Sequence, residues 1–379
     1  MKYVLVHYSE IGLKGKNRAF FERKLVSNIR HALKGLGPIV KRLPGRLIVD
    51  TDGSWDEITE RLQKVPGIAT FSFALMVDRD MKDIKKALDE LSDKGVKTFA
   101  VSTTRSDKAF RHTSQELNTI LGDYLRKKYR WKVDLKTPDR TFYVELTSKE
   151  AFVFRKKLKG MGGLPVTSSG KLVSLISGGI DSPVAAYEMF KRGCEIVFVH
   201  FHNWTAQKDV VRDKVERIVR ILSAYQPRTR LYMVPFENLQ KHLIAKVRAK
   251  YRMIVYRRIM FEIAGMIAKK EKALGFVTGD SVGQVASQTL ENIYCIYDKA
   301  GFPVFTPIAG DNKEDIVNRA ERIGTYDISK LPYSDCCSFL VDKHPETKAR
   351  LGDIEKIEAG IDIPSLAKKA LDHAEIKEF

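Results

Sequence analysis

The hydrophobic and polar positions of residues 171–280 alternate between short apolar runs and longer stretches with helical spacing. Apolar runs that predict buried strands occupy residues 171–176, 195–201, 231–236 and 275–280. The stretches between them predict helices over residues 183–193, 208–224 and 239–272, the last broken once. Strands and helices that alternate in this way predict an α/β domain with a doubly wound parallel sheet.

Residues 1–160 carry shorter elements in a less regular order. Strands are predicted over residues 3–7, 47–50, 68–77, 98–102, 142–146 and 151–154. Helices are predicted after Asn17, a candidate cap, and over residues 57–64, 82–92 and 114–128. The Gly- and Ser-rich segment 159–170 predicts a linker or a substrate-facing loop. We therefore expect two small α+β domains, residues 1–78 and 79–162, before an α/β domain at residues 163–379 that finishes in a polar helical tail.

The most informative loop follows the strand at residues 171–176 and reads Ser177-Gly-Gly-Ile-Asp181-Ser182. Its two glycines lack Cβ atoms, so backbone N–H groups can approach an anion closely at the positive end of the next helix. Ser182 suits the helix N-cap, Pro183 the first helical position and Gly193 the C-terminal cap. The Lys-Ser/Thr pair of a Walker A loop is replaced by Asp181. The loop predicts a phosphate site; the alternative is a glycine turn with a capping serine.

Three of the predicted strands end on residues that suit a nucleotide site, namely Ser177, His200-Phe201 and Gly279-Asp280. Ligands of doubly wound sheets bind at the carboxyl ends of the strands. We therefore expect these residues to converge on one nucleotide. Taken alone, His200 is equally well explained as a core or capping histidine, and Gly279 as a turn.

The positive charge of the chain is concentrated in its first half. The 379 residues hold 66 Lys and Arg against 47 Asp and Glu, a net charge of +19. Residues 1–170 hold 34 basic and 20 acidic residues, whereas residues 171–379 hold 32 and 27. This asymmetry predicts a polyanion partner, and the alternative is a solvated basic surface that serves solubility. The basic residues expected to contact a nucleic acid are Lys14, Lys16, Arg18, Arg105, Lys108, Arg111, Lys127, Lys128 and Arg130.

The chain has four cysteines, Cys194, Cys295, Cys336 and Cys337. So few cysteines do not form a disulfide framework, and without a Cys-x-x-Cys pair we expect no zinc or iron–sulfur site. Cys194 and Cys295 lie in apolar runs and are predicted to be core residues. The N-terminus predicts a strand rather than a signal peptide, and no apolar run is long enough to span a bilayer. A cytoplasmic protein that does not engage a membrane is expected.

The loop Ser177–Ser182 resembles the pyrophosphate-loop signature of the N-type ATP pyrophosphatases. Three further segments, Ser9–Arg18, Gly162–Gly170 and Thr278–Leu290, extend the resemblance to the tRNA 4-thiouridine synthetases. This family of sulfurtransferases also serves thiazole formation in thiamine synthesis. The resemblance implies a ferredoxin-like domain, a THUMP RNA-binding domain and an adenine-nucleotide α-hydrolase-like (pyrophosphate-loop) domain, in that order.

The resemblance also implies a reaction and its cofactors, ATP and Mg²⁺. ATP adenylates O4 of uridine 8 in tRNA, a persulfide sulfur attacks C4, and AMP leaves. Asp181, with Mg²⁺, would manage the pyrophosphate charge, and Lys313 would neutralise the α-phosphate. Of the adjacent Arg257 and Arg258, one is expected to face solvent. The residues implied in ATP binding are Leu175, Ile176, Ser177, Gly178, Gly179, Ile180, Ser182, His200, Phe201, Arg257, Gly279, Asp280 and Gln288.

Cys336 and Cys337 match the loop that carries the family's catalytic cysteine. Cys337 is favoured because its spacing to Pro345 fits that loop better; the alternative is a pair of small buried residues. Many family members continue into a rhodanese-like domain that carries the persulfide, and this chain has no such segment. The sulfur donor therefore stays open among a cysteine desulfurase, a separate rhodanese and free sulfide. The resemblance also points to a thiamine sulfur-carrier protein as a second acceptor. The oligomeric state is not given by the sequence, and a homodimer stays open.

Two other functions stay open on the sequence alone. One is another pyrophosphate-loop synthetase, such as an amidotransferase or a tRNA lysidine synthetase. A glutaminase needs an upstream nucleophilic cysteine, and the first cysteine here is Cys194. The other is an RNA-binding module with an inactive nucleotide fold, against which the intact loop and the cysteine pair argue.

Overall fold

The chain forms two compact units, Met1–Gly163 and Leu164–Phe379, in the computed structural model. The residues that the structure describes are 2–93, 95–108, 110–203, 208–332, 342 and 344–379. Each unit has its own sheet and its own apolar core.

The first unit places strands and helices alternately along the chain. Its strands are β1 (Lys2–His7), β2 (Ile39–Leu43), β3 (Arg46–Asp50), β4 (Thr70–Val77), β5 (Thr98–Arg105), β6 (Lys132–Val133), β7 (Arg140–Leu146), β8 (Ala151–Phe154) and β9 (Leu158–Lys159). Its helices are α1 (Arg18–Ala32), α2 (Trp55–Gln63), α3 (Met81–Glu90) and α4 (Ser114–Tyr129). The strand β2 was not predicted, because Lys41 and Arg42 interrupt its apolar pattern and leave only Val40 buried.

One sheet of nine strands runs through the described part of this unit, in the order β2-β3-β1-β4-β8-β7-β5-β6, with β9 also on β4. The sheet continues across the predicted boundary between residues 78 and 79, because β4 pairs with β1 on one side and with β8 on the other. The four helices bury their apolar stripes against strand residues in two clusters. Ser54, Asp80 and Thr113 cap helices through their side chains, whereas the predicted cap Asn17 makes no such bond.

A buried charged cluster ties β1, β3 and β7 together across this sheet. Glu145 accepts from Arg46 Nη1 at 2.6 Å and lies 3.0 Å from His7 Nε2, with its side chain only 7% exposed. Burial raises the pKa of Glu145, but the hydrogen bond to His7 and the charges of His7 and Arg46 outweigh it and hold the pKa below its ordinary value of 4.5. The carboxylate therefore stays ionised in the folded sheet.

The second unit alternates strands and helices as predicted from residue 171 onwards. Its strands are β10 (Lys171–Leu175), β11 (Glu195–His202), β12 (Arg230–Pro235), β13 (Phe276–Val277), β14 (Val304–Phe305) and β15 (Glu375–Glu378). Its helices are α5 (Asp181–Lys191), α6 (Lys208–Ser223), α7 (Glu237–Ile244), α8 (Arg252–Glu271), α9 (Leu290–Asp298), α10 (Lys313–Ile323), α11 (Tyr326–Ser329), α12 (Leu351–Glu358) and α13 (Ile363–Asp372). The long helix predicted over residues 239–272 is broken once, between α7 and α8.

The six strands described in this unit are ordered β14-β13-β10-β11-β12-β15. All pairs are parallel except β12 with β15. The chain runs from β10 to β11 and β12 on one side and later returns to β13 on the other. A crevice therefore opens between the carboxyl ends of β10 and β13, where ligands of such sheets bind.

The tail of the chain is helical as predicted, in α12 and α13, but it is not merely polar and it ends in a strand. Helix α13 buries Ile363, Ala367 and Ala370 in the main core of the second unit, and β15 adds an edge strand to the sheet. The apolar positions of α13 are few and small, which made the segment look polar in the sequence. None of the helices in the described parts of the chain combines the length and the apolar character that a bilayer crossing needs.

We predict that Glu145→Gln destabilises the first unit in a pH-dependent way. At neutral pH, weakening the buried pair with Arg46 should lower the free energy of unfolding by about 2–3 kcal/mol. Because the folded pKa of Glu145 is depressed, its contribution is present above the unfolded pKa and is lost as pH falls through the folded value. Urea unfolding of residues 1–163, followed by circular dichroism from about pH 3 to about pH 7, measures it.

The matched control is Glu90→Gln, an exposed glutamate of α3, which should change the free energy of unfolding by less than about 0.5 kcal/mol. A Glu145→Gln effect that is equally large at both ends of the pH range would show that the charge of Glu145 does not stabilise the sheet.

Candidate functional site

The loop after β10 is closed by its two serines. Ser182 Oγ accepts the backbone N–H of Ser177 at 2.9 Å and lies 3.1 Å from Ser177 Oγ. Ser177 Oγ in turn accepts the N–H of Gly179 at 3.2 Å. The predicted N-cap role of Ser182 is wrong: α5 already begins at Asp181, and Ser182 lies inside its first turn. Its hydroxyl instead holds the loop in place, while Gly193 follows the end of α5 with a positive φ of 80°, as predicted.

A cavity of about 310 Å³ lies at the carboxyl ends of β10, β11 and β13. Of the predicted ATP-binding residues, the following line it together with Asp181: Leu175, Ile176, Ser177, Gly179, Ser182, His200, Phe201, Arg257, Gly279, Asp280 and Gln288. Gly178, Ile180 and Lys313 are not part of its lining. Met260, Thr278 and Gln284 line the cavity without having been predicted. The three strand ends thus meet at one cavity.

Asp280 is the buried centre of one wall of this cavity. Its side chain is 7% exposed and accepts hydrogen bonds from Arg257 Nη2 at 2.5 Å, Tyr297 OH at 2.5 Å and Gln288 Nε2 at 3.0 Å. Burial raises the pKa of Asp280, but the charge and hydrogen bond of Arg257 outweigh it and leave the pKa below its ordinary value. The ionised carboxylate fixes the Arg257 and Gln288 side chains in the wall.

Two features of this wall were not evident from the sequence. Tyr297, on α9, holds Asp280 and also meets Thr278 at 2.9 Å, yet nothing in its sequence context signals that role. Gln288 Oε1 is buried without a hydrogen-bond partner among the described residues. An acceptor of this kind in the lining suits an amino or hydroxyl donor of a nucleoside.

Arg257 and Arg258 are both held by carboxylates, so the expectation that one faces solvent is wrong. Arg257 belongs to the cavity wall. Arg258 is 2% exposed and donates to both carboxylate oxygens of Glu358, at 2.7 and 3.0 Å, and to Asp298 at 3.3 Å. Its partners come from α9 and α12, elements that the sequence patterns did not define.

Asp181 lies where the loop meets the first turn of α5, and both its oxygens are engaged. Lys313 Nζ lies 2.5 Å from Oδ1, and Gln284 Nε2 donates to Oδ2 at 3.0 Å. The lysine side chain is 48% exposed and the aspartate 20% exposed. Exposed pairs of this kind contribute little to stability, and a cation beside a phosphate-type loop suits an anionic ligand.

The described residues contain no group of three or more His, Cys, Asp or Glu side chains that could hold a metal by themselves. Mg²⁺ does not require such a group, since it is usually bound by one or two carboxylates together with phosphate oxygens and water. Asp181 is the carboxylate at the loop, so the site fits Mg²⁺ that arrives with a nucleotide.

Gly279 is required by a close approach of two backbones. A Cβ atom on Gly279 would lie 2.5 Å from the backbone nitrogen of Ser182 and 2.8 Å from the carbonyl carbon of Asp181. The turn after β13 therefore touches the start of α5. A second contact at the cavity comes from His200. Its ring Nδ1 donates to the carbonyl oxygen of Ile176 at 2.9 Å and links β11 to the end of β10.

The four cysteines divide into two pairs. Cys194 and Cys295 are buried, as predicted, and burial raises the pKa of Cys194 to about 11 and also raises that of Cys295. Thiols of this kind are poor nucleophiles at neutral pH. Cys336 and Cys337 lie outside the described residues.

The predicted RNA contacts of the first unit differ in how they are held. Arg18 donates to Tyr8 and Glu22, Lys128 to Asp89, and Arg105 to the Phe110 carbonyl oxygen. Lys16, Lys108, Arg111, Lys127 and Arg130 are exposed, and Lys14 is half-buried over the Phe21 ring. A groove lined in part by Arg23, Arg30 and Arg42 was not among the predicted RNA contacts, although the spacing of the first two places them on one face of α1.

We predict that Gly279→Ala weakens nucleotide binding at the cavity. The added methyl group must displace the start of α5 from the turn after β13, an overpacking that should raise the Kd for ATP about tenfold or more. Gly310→Ala is the matched control, because a Cβ there meets nothing within 4 Å. Calorimetric titration of ATP into each variant gives the comparison. Equal affinities for the two variants would contradict this assignment of Gly279.

Family comparisons cover nearly the whole chain. The family described as thiamine biosynthesis protein (ThiI) matches residues 167–363, the ThiI ferredoxin-like domain matches residues 3–72, and the THUMP domain matches residues 78–155. Residues 167–363 contain the loop, the cavity and Lys313.

Individual relatives give the same result over their full lengths. The chain is 41% identical over 375 residues to a probable tRNA sulfurtransferase of Thermus thermophilus, covering 98% of this chain and 92% of the relative. It is 40% identical to a probable tRNA sulfurtransferase of Moorella thermoacetica, covering 98% and 96%.

Solved structures resemble the fold closely. A 4-thiouridine synthetase, solved as an RNA complex with bound ATP, superposes with a TM-score of 0.90 at 37% identity and covers 100% of both chains. The protein PH1313 of Pyrococcus horikoshii, at 24% identity and a TM-score of 0.66, shares the fold over 86% of this chain. The chain therefore belongs to the ThiI family, with a ferredoxin-like domain, a THUMP domain and a pyrophosphate-loop domain with a parallel sheet, and its relatives are tRNA sulfurtransferases.

Proposed function

We propose that this protein is a tRNA sulfurtransferase that adenylates uridine 8 of tRNA with ATP and replaces O4 by sulfur to form 4-thiouridine. The observation that carries the proposal is the cavity at the switch between β10 and β13, with a phosphate-type loop and the Asp181–Lys313 pair at the same strand ends. The adenosine end of ATP lies in the cavity, and the triphosphate lies along the loop.

The adenosine end is recognised by groups with fixed geometry. Leu175, Ile176 and Phe201 provide apolar surface, and the free acceptor Oε1 of Gln288 suits a donor on the adenine or the ribose. Asp280 fixes Gln288 and Arg257 without being needed as a contact itself. Since these side chains are already held by one another, little ordering is needed when the nucleotide binds.

The triphosphate is recognised by charge and by backbone donors. N–H groups at the start of α5 face negative charge favourably, and Lys313 moves from Asp181 to the α-phosphate. Asp181 would help to hold Mg²⁺, which would supply positive charge to balance the departing pyrophosphate. The uridine O4 attacks the α-phosphorus, the bond to the bridging oxygen breaks, and pyrophosphate leaves with its electron pair while N3 loses its proton.

Sulfur enters in a second displacement. The terminal sulfur of a protein persulfide attacks C4, the C4–O4 bond breaks, and AMP leaves with O4. A second thiol then attacks the cysteine sulfur of the mixed disulfide, which forms a new disulfide and leaves sulfur on C4 to be protonated as 4-thiouridine. Cys337 is the proposed persulfide carrier and Cys336 the alternative carrier, because Cys194 and Cys295 are buried with raised pKa values. The second thiol comes from a separate thiol compound.

The remaining partners are proposed from the family resemblance. A cysteine desulfurase, or another persulfide donor, loads the cysteine, and a thiamine sulfur-carrier protein is a second acceptor of the same sulfur. Contacts to tRNA come from the exposed basic residues of the first unit, which carries most of the excess positive charge of the chain. A homodimer and a cytoplasmic location belong to the same proposal.

Asp181→Asn should reduce tRNA-dependent release of pyrophosphate from ATP by about a hundredfold or more, because the neutral amide no longer balances Lys313 or holds Mg²⁺. Asp315→Asn, which changes an exposed residue of the first turn of α10, is the matched control and should be neutral. Both variants should bind tRNA as the wild type does. Release of ADP and phosphate by the wild-type protein would overturn the pyrophosphatase assignment.

Binding of tRNA should weaken about tenfold or more when salt is raised from about 50 to about 200 mM, because counterions are released at each contacted phosphate. Replacing Lys127 and Arg130 by alanine should reduce the slope of log affinity against log salt by about one to two. Lys64→Ala is the control, since Lys64 is paired with Glu60 at 2.8 Å. An unchanged slope in the double variant would remove these two residues from the RNA surface.

Cys337→Ser should still release pyrophosphate but should not form 4-thiouridine with a desulfurase as donor, because a hydroxyl cannot carry a sulfane sulfur. Cys336→Ser should be milder, and reversed phenotypes would exchange the two roles. Mass spectrometry of nucleosides from the tRNA measures the product. Full activity of the double serine variant with the desulfurase would exclude both cysteines from the mechanism.

A further inference from the structure

Arg319 of α10 joins two acidic side chains that lie on different segments of the second unit. Its Nη1 donates to Glu188 of α5 at 3.3 Å, and its Nη2 donates to Asp311, just before α10. Its Nε donates to the carbonyl oxygen of Asp315 at 3.2 Å. The Arg319 and Glu188 side chains are only 18% and 17% exposed. A planar guanidinium can hold these groups at once, so Arg319 fixes the segment before α10 against α5.

The segment that Arg319 fixes leads directly into Lys313. Lys313 is the first residue of α10, and it follows Asp311 by two residues. Its partner Asp181 begins α5, seven residues before Glu188. Seven residues of helix rise about 10 Å, and the six residues from Lys313 to Arg319 rise about 9 Å. Two ion pairs with nearly equal spacing therefore join α5 and α10 side by side, with the same chain direction.

Of these two pairs, the one with Arg319 is better suited to fix the start of α10. The N-cap residue Asn312 makes no side-chain bond to the helix. The Lys313 side chain is half exposed, and a cation in the first turn faces the positive end of the helix dipole. An exposed pair such as Lys313 with Asp181 holds its partners weakly, whereas the more enclosed Arg319 holds two carboxylates. The position of Lys313 therefore depends on Arg319.

We infer that Arg319 is a positioning residue for adenylation: by joining Glu188 to Asp311, it keeps Lys313 beside the pyrophosphate loop. This inference rests on the proposed function, in which Lys313 neutralises the α-phosphate of ATP. Arg319 is not among the described residues that line the cavity, so it acts through Lys313 and not on the nucleotide itself. The placement matters because a misplacement of about 1 Å can cost about a hundredfold in rate.

The test compares catalysis with nucleotide binding in the full-length protein. With Arg319→Met, the kcat of tRNA-dependent pyrophosphate release should fall about tenfold or more, because a misplaced Lys313 no longer balances the α-phosphate in the transition state. The Kd for ATP, measured by calorimetry, and the affinity for tRNA should stay within about twofold of wild type. Helix α10 also buries Ile316, Ala320 and Ile323, so the variant should stay folded, which circular dichroism checks.

A double-mutant cycle shows whether Arg319 acts through Lys313. Lys313→Met alone should lower kcat at least as much as Arg319→Met does. Because Arg319 is inferred to act only by placing that lysine, Arg319→Met should add less than about twofold to the loss in the Lys313→Met background. Arg322→Met is the matched control, because it removes an exposed cation of the same helix and should leave kcat unchanged.

Losses that multiply in the double variant would overturn the inference, as would an unchanged kcat in Arg319→Met or an ATP affinity that falls as much as kcat. If Arg319→Met does not fold, Glu188→Gln replaces it, since it weakens the contact at α5 and keeps the arginine on Asp311. A loss of kcat that is absent in the Lys313→Met background then supports the inference, and a multiplying loss or none overturns it. Full activity of Lys313→Met overturns the role proposed for that lysine and the inference with it. A wild-type protein that releases no pyrophosphate overturns the proposed function itself.

Discussion

The backbone of the turn after β13 contacts the backbone of the first turn of α5. This contact positions the residues that form the cavity. Gly279 lies so close to Asp181 and Ser182 that no side chain fits between them. The two segments follow β13 and β10, the neighbouring strands between which the strand order reverses. Their contact brings Asp280 and its partners to the same place as the pyrophosphate loop. A loosely closed crevice would have the same residues but would not hold them around one ligand.

Two acidic residues at this contact have different roles because they differ in burial. Asp280 is enclosed, ionised and bonded to Arg257, Gln288 and Tyr297, so it organises a wall that need not change when a ligand binds. Asp181 is more open, and its partner Lys313 is half exposed on a long side chain. A pair of this kind can separate at small cost, in keeping with the proposed roles of Lys313 at a phosphate and of Asp181 at Mg²⁺.

Local patterns were sufficient for the loop and for the strand ends. The apolar run of β10, the glycines after it and the helix signals up to Gly193 all lie within about 25 residues of one another. Ser182 lies two residues past the N-cap of α5, Ile180, and its hydroxyl bonds back to Ser177 rather than capping the helix. The partners of Tyr297 and Arg258 could not be found in this way, since they lie 17 and 100 residues away. The strands β2 and β15 were missed because polar edge strands lack a clear apolar period.

The two units are proposed to have different functions. The first carries most of the excess positive charge and would bind tRNA, and the second contains the cavity proposed to bind the nucleotide. The claim that joins them is that the product is 4-thiouridine in tRNA. The most direct measurement is the near-ultraviolet absorbance of 4-thiouridine in tRNA from cells with and without this protein. The account predicts that the signal is present with the protein, is lost without it, and is restored by the wild-type chain but not by Asp181→Asn. An unchanged signal in cells that lack the protein would contradict the account.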